Sequence, residues 1–226
     1  MSKIWKDVEI HHARKFFKIA EKAMKRSITD VDEVISTIIL STSAFESFLN
    51  EFTNSMKVSI SEKDSKMLQV LKSVGPKLDE KKFNSLLRLE IFYFFLCSKQ
   101  LPKGERPFQD IKLLYEIRNS IVHPRPEKVS VEFSQNANQE KNLHRYLKHL
   151  VDIKVINKPW DNFDKGEVYG ENQWFDYIFN NKVAEWAYNT VVNVASEIIN
   201  ATPESDFKNF IAFVCKHISG IKIEGI

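Results

Sequence analysis

Six consecutive residues, Arg118-Asn119-Ser120-Ile121-Val122-His123, place a permanent cation, an amide and an imidazole together, directly before Pro124 and Pro126. A guanidinium can hold a phosphate, an imidazole can move a proton near neutral pH, and an amide can orient either partner. At about 100° per residue with Arg118 as zero, Val122 lies at about 40°, Tyr115 at about 60°, Asn119 at about 100°, Lys112 at about 120° and His123 at about 140°. Leu113, Leu114, Ile117 and Ile121 occupy about 220° to 320°, the expected core face. Arg118, Asn119 and His123 are therefore expected to point away from their own bundle. The plainer alternative is helix-end capping and solvation by the same side chains.

Two further groups accompany this run. Glu46 and Asn50 are an i, i+4 pair that shares one helix face, either as part of a site or as a polar pair packed in the bundle. Arg125, Lys128, Lys141, Arg145 and Lys148 keep the chain basic beyond the run; they are candidates for contacting a nucleic-acid backbone or a solvated face. His144 and His149 read as surface residues. Cys97 and Cys215, far apart and in apolar surroundings, read as buried small hydrophobes. No Cys/His or carboxylate spacing suits a metal, and no cofactor is expected.

The elements that must position these residues are helical. Only 6 Gly and 7 Pro occur, and apolar residues recur at three and four spacing through most of the chain. A first stripe runs from Ile10 through Phe16, Phe17 and Ala20 to Met24. Asp30 is placed to cap a second helix of roughly two dozen residues that carries Val34, Ile38, Phe45, Phe48, Leu49 and Phe52. A shorter helix around 64–74 stops at Gly75-Pro76. The next spans 78–99 with Phe83, Leu86, Leu87, Phe94 and Phe95 as its buried stripe, and Phe92 to Phe95 are expected as core aromatics. The helix from Phe108 to His123 ends at the prolines. From 125 to 173 the pattern is irregular: Val129, Val131 and Phe133 alternate like a short strand, and Leu143, Leu147 and Leu150 predict a short amphipathic helix. A long helix follows over about 174–200, then a last one over 204–218. The expected architecture is an all-α up-and-down bundle of about five long helices, one domain with an insertion at 125–173.

Composition supports this and narrows the function classes. The chain has 226 residues, 43% hydrophobic and 28% charged, with 17 Phe and 4 Trp for a core and a net charge of +3. Disordered, collagenous and coiled-coil chains are excluded on that composition. The longest apolar run, Ile91 to Cys97, is far short of the roughly 20 residues a membrane helix needs, so no membrane partner is expected. The charged start MSKIWKDVEIHHARKFF lacks a secretory apolar region, and a cytoplasmic location is expected.

The Arg118-Asn119…His123 run resembles the signature of the HEPN superfamily, small helical bundles in which an arginine and a following polar residue precede a histidine after four to six residues. Here four residues intervene between Arg118 and His123. With 7 Arg, 6 His and 16 Asn in the chain, about 0.04 such matches would arise by chance, so coincidence is a poor explanation. The stretch STSAFESFLNEF, from Ser41 to Phe52, resembles the family's long second helix with Glu46 and Asn50 one turn apart. The resemblance covers roughly residues 9–124 and the helix from Trp174; the insertion is outside it.

The resemblance implies a metal-independent endoribonuclease, in a toxin or antiviral defence setting, or a catalytically silent module of the same fold that binds a partner protein or nucleotide. It implies Arg118, Asn119 and His123 as catalytic residues, with Glu46, Asn50 and Tyr115 in support and Glu46 paired to Arg118. It also implies a homodimer whose two motifs share a cleft, RNA as substrate, and an antitoxin or other regulatory protein as a further partner. Lys112, Arg125, Lys128, Lys141, Arg145 and Lys148 are then the RNA-binding candidates. The family's toxins that are silenced by nucleotidylation often carry a tyrosine two residues after the histidine; this chain has Arg125 there.

Overall fold

A computed structural model describes residues 12–59, 85–97, 99–124, 145–157, 174–202, 208, 215 and 218–221. Among them the protein is an all-α helical bundle without strands. Its helices are α1 (His12–Arg26), α2 (Glu33–Ser59), α3 (Ser85–Cys97), α4 (Phe108–Val122), α5 (Arg145–Asp152), α6 (Trp174–Ile178) and α7 (Asn181–Ala201). The expected helix at 64–74, the strand at 129–133, Ile10, Phe83 and most of the expected last helix lie outside the described residues, as do the side chains of Phe52 and Phe95.

The bundle is built around α2, on which α1, α3, α4 and α7 all pack. Val34, Ile38, Phe45, Phe48 and Leu49 are its buried apolar positions, as the spacing predicts. A helix covered by four others must bury polar positions as well. Thr37 and Thr42 solve this by donating their hydroxyls to the Glu33 and Ile39 carbonyls, each at 2.8 Å. Such back-bonding leaves the hydroxyl satisfied inside its own helix. Asp30 acts at the α2 start as expected, its Oδ1 accepting the Asp32 N–H at 3.1 Å. Arg26 Nε donates to Glu33 Oε1 at 2.6 Å across the α1–α2 turn.

Two expected faces and one expected helix are corrected. On α1 the buried stripe is Ala13, Phe17, Ala20 and Ala23, whereas Phe16 is 36% exposed. Three alanines let α1 lie close against α2, and a contact that narrow leaves the neighbouring position outside it. On α3 the buried residues are Leu89, Phe92, Tyr93, Leu96 and Cys97, while Leu87 and Phe94 are exposed and Leu86 is partly buried. That helix is apolar all round, so periodicity cannot choose its inner face. The long helix expected over 174–200 is broken into α6 and α7 at Phe179-Asn180. Asn180 is extended at φ −141° and ψ 132°, and its side chain accepts the Lys182 N–H at 2.9 Å, which starts a new helix.

The short helix expected in the insertion is present as α5, with Tyr146, Leu147 and Leu150 buried. Tyr146 meets Trp174 of α6 edge-on, with ring centroids 5.1 Å apart at 83°. Its end is a Schellman turn: the Val155 N–H bonds the Leu150 carbonyl at 2.9 Å and Lys154 takes the left-handed position at φ 61°. No helix among the described residues is long and apolar enough to cross a membrane.

Leu114 is fully buried on α4, and its truncation to alanine should cost about 2–5 kcal/mol. Asn180→Ala, which removes only a cap, should cost about 1 kcal/mol. Urea unfolding midpoints at unchanged slope measure both.

Candidate functional site

α4 carries the site, and its neighbours decide what it shows. Leu113, Leu114 and Ile117 are buried as expected, but Phe108, Ile111 and Tyr115 are buried too, on the other flank. What remains is a solvent strip bearing Lys112, Asn119 and His123. Asn119 and His123 thus face outward as the wheel predicts. Arg118 does not. It is half-buried, its Nε is shut off from solvent without a hydrogen-bond partner, and its Nη1 donates to Asn119 Oδ1 at 3.0 Å. The stem lies in the bundle and the head comes up at the edge, beside Asn119. The expectation that all three point away fails for Arg118 because α4 is covered on two flanks, which a single-helix wheel cannot register.

His123 is the residue that closes the helix. Its N–H bonds the Asn119 carbonyl at 2.9 Å, its backbone at φ −126° and ψ 65° has left helical geometry, and its side chain is exposed. Pro124 follows, so the imidazole sits at the rim of the bundle rather than in it.

On the buried flank three helices meet through polar side chains. Ser85, the first residue of α3, donates to Glu46 Oε1 at 2.8 Å, and Arg88, one turn on, donates from Nη1 to Asn50 Oδ1 at 2.8 Å. The sequence expectation paired Glu46 with Arg118; instead Glu46 is held by Ser85, because α3 inserts its first turn beside α2 at this level. Tyr115 of α4 completes the junction. Burial pushes its phenol well above the ordinary range and the Glu46 carboxylate pushes it further, against the opposing pull of Ser85, Arg118 and Arg88. Tyr115 therefore stays a neutral phenol and cannot serve as a base. Ser85 and Arg88 were not singled out in the sequence, since α3 reads as an apolar stripe. The one available signal was a lone arginine within SLLRLEIFYFFLC.

On the opposite flank α5 is tied to α4. The Tyr146 hydroxyl and the Ser120 hydroxyl are 2.9 Å apart, and Arg145 reaches Glu116 at 3.5 Å and the Tyr146 hydroxyl at 3.2 Å. His149, expected on the surface, is partly buried with Nε2 at 3.5 Å from Asp110 Oδ1. Asp110 itself is buried in the first turn of α4 and is held by Arg106 at 2.6 Å. Of the basic candidates, Lys112, Arg145 and Lys148 are exposed. Arg125, Lys128 and Lys141 lie outside the described residues.

Among the described residues no three His, Cys, Asp or Glu side chains gather in a way that could hold a metal ion. Cys97 and Cys215 are both buried and free. No protein-family model, curated protein or solved structure matches the chain.

Burial pushes the Cys97 thiol up to about 11 and the Cys215 thiol up to about 12. A raised pKa means less thiolate at neutral pH, and the thiolate is the reactive form. At pH 8 a disulfide reagent should titrate both thiols only after denaturation, with little reaction in the native protein.

Proposed function

We propose that this protein is an endoribonuclease of the HEPN type that works without a metal ion, by attack of the RNA's own 2′-hydroxyl. The observation that carries the proposal is the end of α4: Arg118 and Asn119 joined at 3.0 Å, with the exposed His123 closing the same helix. The reaction needs a base for the 2′-OH, an acid for the 5′-oxygen and positive charge for the pentavalent phosphorus. The 2′-oxygen forms a bond to phosphorus as the bond to the 5′-oxygen breaks. One proton leaves the 2′-OH and another reaches the departing 5′-oxygen. The products are a 2′,3′-cyclic phosphate and a 5′-hydroxyl.

His123 is accessible for either proton transfer and Arg118 supplies the charge, with Asn119 holding its guanidinium. A single imidazole cannot be base and acid in one step. A second copy facing the first across the Asn119–His123 strip supplies the other, so the active form is a two-fold homodimer. Lys112 on the same strip and the exposed Arg145 and Lys148 would meet flanking phosphates. The competing reading, a silent module that binds a partner protein or nucleotide, draws its support from the half-burial of Arg118, which also suits a structural arginine.

The test is total RNA incubated with purified protein and EDTA. Expected are fragments with 5′-hydroxyl ends that a kinase labels without prior dephosphorylation, and no cutting of DNA. Arg118→Ala and His123→Ala should each lower the rate by about 10² to 10⁴. Fragments with 5′-phosphates, or activity that returns only with Mg²⁺, would falsify the mechanism; no fragments at all would favour the silent module. Light scattering should report about twice 26.4 kDa, and a strict monomer at tens of micromolar would remove the shared cleft.

A further inference from the structure

The positive charge of this chain is not spread evenly. α1 carries six basic residues, Arg14, Lys15, Lys18, Lys22, Lys25 and Arg26, against the single carboxylate of Glu21. That is +5 on one helix in a chain whose total is +3, so the remainder of the chain sums to −2. A net excess gathered on one element is a local field, not a general solubility charge.

Helical geometry gathers the six on one side. At about 100° per residue with Arg14 as zero, Lys25 lies at about 20°, Lys18 at about 40°, Lys22 at about 80°, Lys15 at about 100° and Arg26 at about 120°. The buried Ala13, Phe17, Ala20 and Ala23 occupy about 180° to 300°, the side packed on α2 and α7. All six cations are exposed. Lys25 is paired with Glu21 at 2.7 Å and Arg26 with Glu33 at 2.6 Å. Arg14, Lys15, Lys18 and Lys22 are paired with no carboxylate among the described residues. Arg14, Lys18 and Lys22 follow one another at four-residue steps, about 6 Å along the axis, and the whole cationic arc is about 18 Å long. Such a row suits a linear polyanion. Beside it, at about 140° and 200°, stand Ile19 and Phe16, 37% and 36% exposed. A phenyl ring bordering a cationic track is what single-stranded nucleic acid uses, phosphates on the cations and a base on the ring. A bilayer would require the apolar side of the helix, which is already sealed against the bundle.

We infer that the outer face of α1 is a binding surface for single-stranded RNA, with Arg14, Lys15, Lys18 and Lys22 on the phosphates and Phe16 under a base. The inference rests on the RNA-cleavage proposal for its choice of ligand. It adds a contact away from the motif helix, one that holds the strand and takes no part in the chemistry.

The probe is a fluorescent 2′-O-methyl oligoribonucleotide, which keeps the phosphates but lacks the attacking hydroxyl, followed by anisotropy across a KCl series. The triple variant Lys15→Gln, Lys18→Gln, Lys22→Gln keeps good helix formers at solvent positions. It should make the slope of log affinity against log salt shallower by about 2, at about 0.7 for each phosphate contact on a single strand, and weaken binding at least about tenfold at about 0.1 M KCl. Arginine at the same three positions should retain the slope. Phe16→Ala should weaken binding about fivefold or more with the slope retained, and unchanged affinity there would overturn the choice of a single strand. Lys99→Gln, Lys154→Gln, Lys182→Gln removes the same charge from exposed positions elsewhere and should leave the slope as it is. No binding by wild type, a wild-type slope in the α1 triple, or an equal loss in the second triple would overturn the surface. Phosphatidylserine vesicles that capture the protein through the same lysines, with the oligonucleotide left unbound, would overturn it in favour of a membrane. If wild type binds through α1 but unmodified RNA stays intact, the surface stands and the cleavage proposal falls; if RNA is cut and the α1 triple binds as wild type does, the reverse holds.

Discussion

A helix packed on both flanks can show solvent only a narrow strip, and α4 is such a helix. Its apolar residues turn toward α2 and α7, its Tyr115 flank meets the polar junction with α2 and α3, and its Ser120 flank meets α5. Its polar side chains are sorted by that covering: Asn119 and His123 stand on the strip, Arg118 is bonded to Asn119 at an edge, and the Tyr115 hydroxyl is shut inside without a hydrogen-bond partner. The geometry of the candidate site follows from that covering.

The two edges of the strip are made differently. On the α2–α3 side neutral groups bond charged ones: a serine on Glu46, an amide on Arg88, an amide on Arg118. On the α5 side Arg145 pairs with Glu116, and Asp110 pairs with Arg106 and lies 3.5 Å from the His149 ring nitrogen. Polar networks that are satisfied only in one arrangement favour a single packing over near-equivalent apolar ones. The insertion thereby ceases to be an appendage: α5 is part of the wall beside the motif helix, and it brings an exposed cationic residue to that wall.

Much of the architecture was legible in the sequence because it rests on local physics. Apolar spacing of three and four marks helices wherever one face is clearly apolar, as in α2 and α5, and Pro124 stops α4 one residue from the expected place. Where the local signal is degenerate the expectation failed. α3 is apolar on all sides, so Phe94 was expected inside and is 53% exposed. In the helix expected over 174–200 the apolar rhythm continues through Asn180, so the break between α6 and α7 was invisible until the cap geometry was seen.

The same division holds for the site. Residue identities and their spacing determined that Arg118, Asn119 and His123 belong together at a helix end, that Asn119 and His123 face outward, and that Glu46 and Asn50 share a face, since these depend only on helical periodicity and on proline's effect on the residue before it. Tertiary structure alone decided that Arg118 is half-buried, that Glu46 is taken by Ser85, that Arg88 reaches Asn50, and that Tyr146 meets Ser120. Each of those joins residues between 26 and 39 positions apart or depends on which neighbour covers a flank. No local rule carries that information, because it is the packing of whole helices that selects which side chains meet.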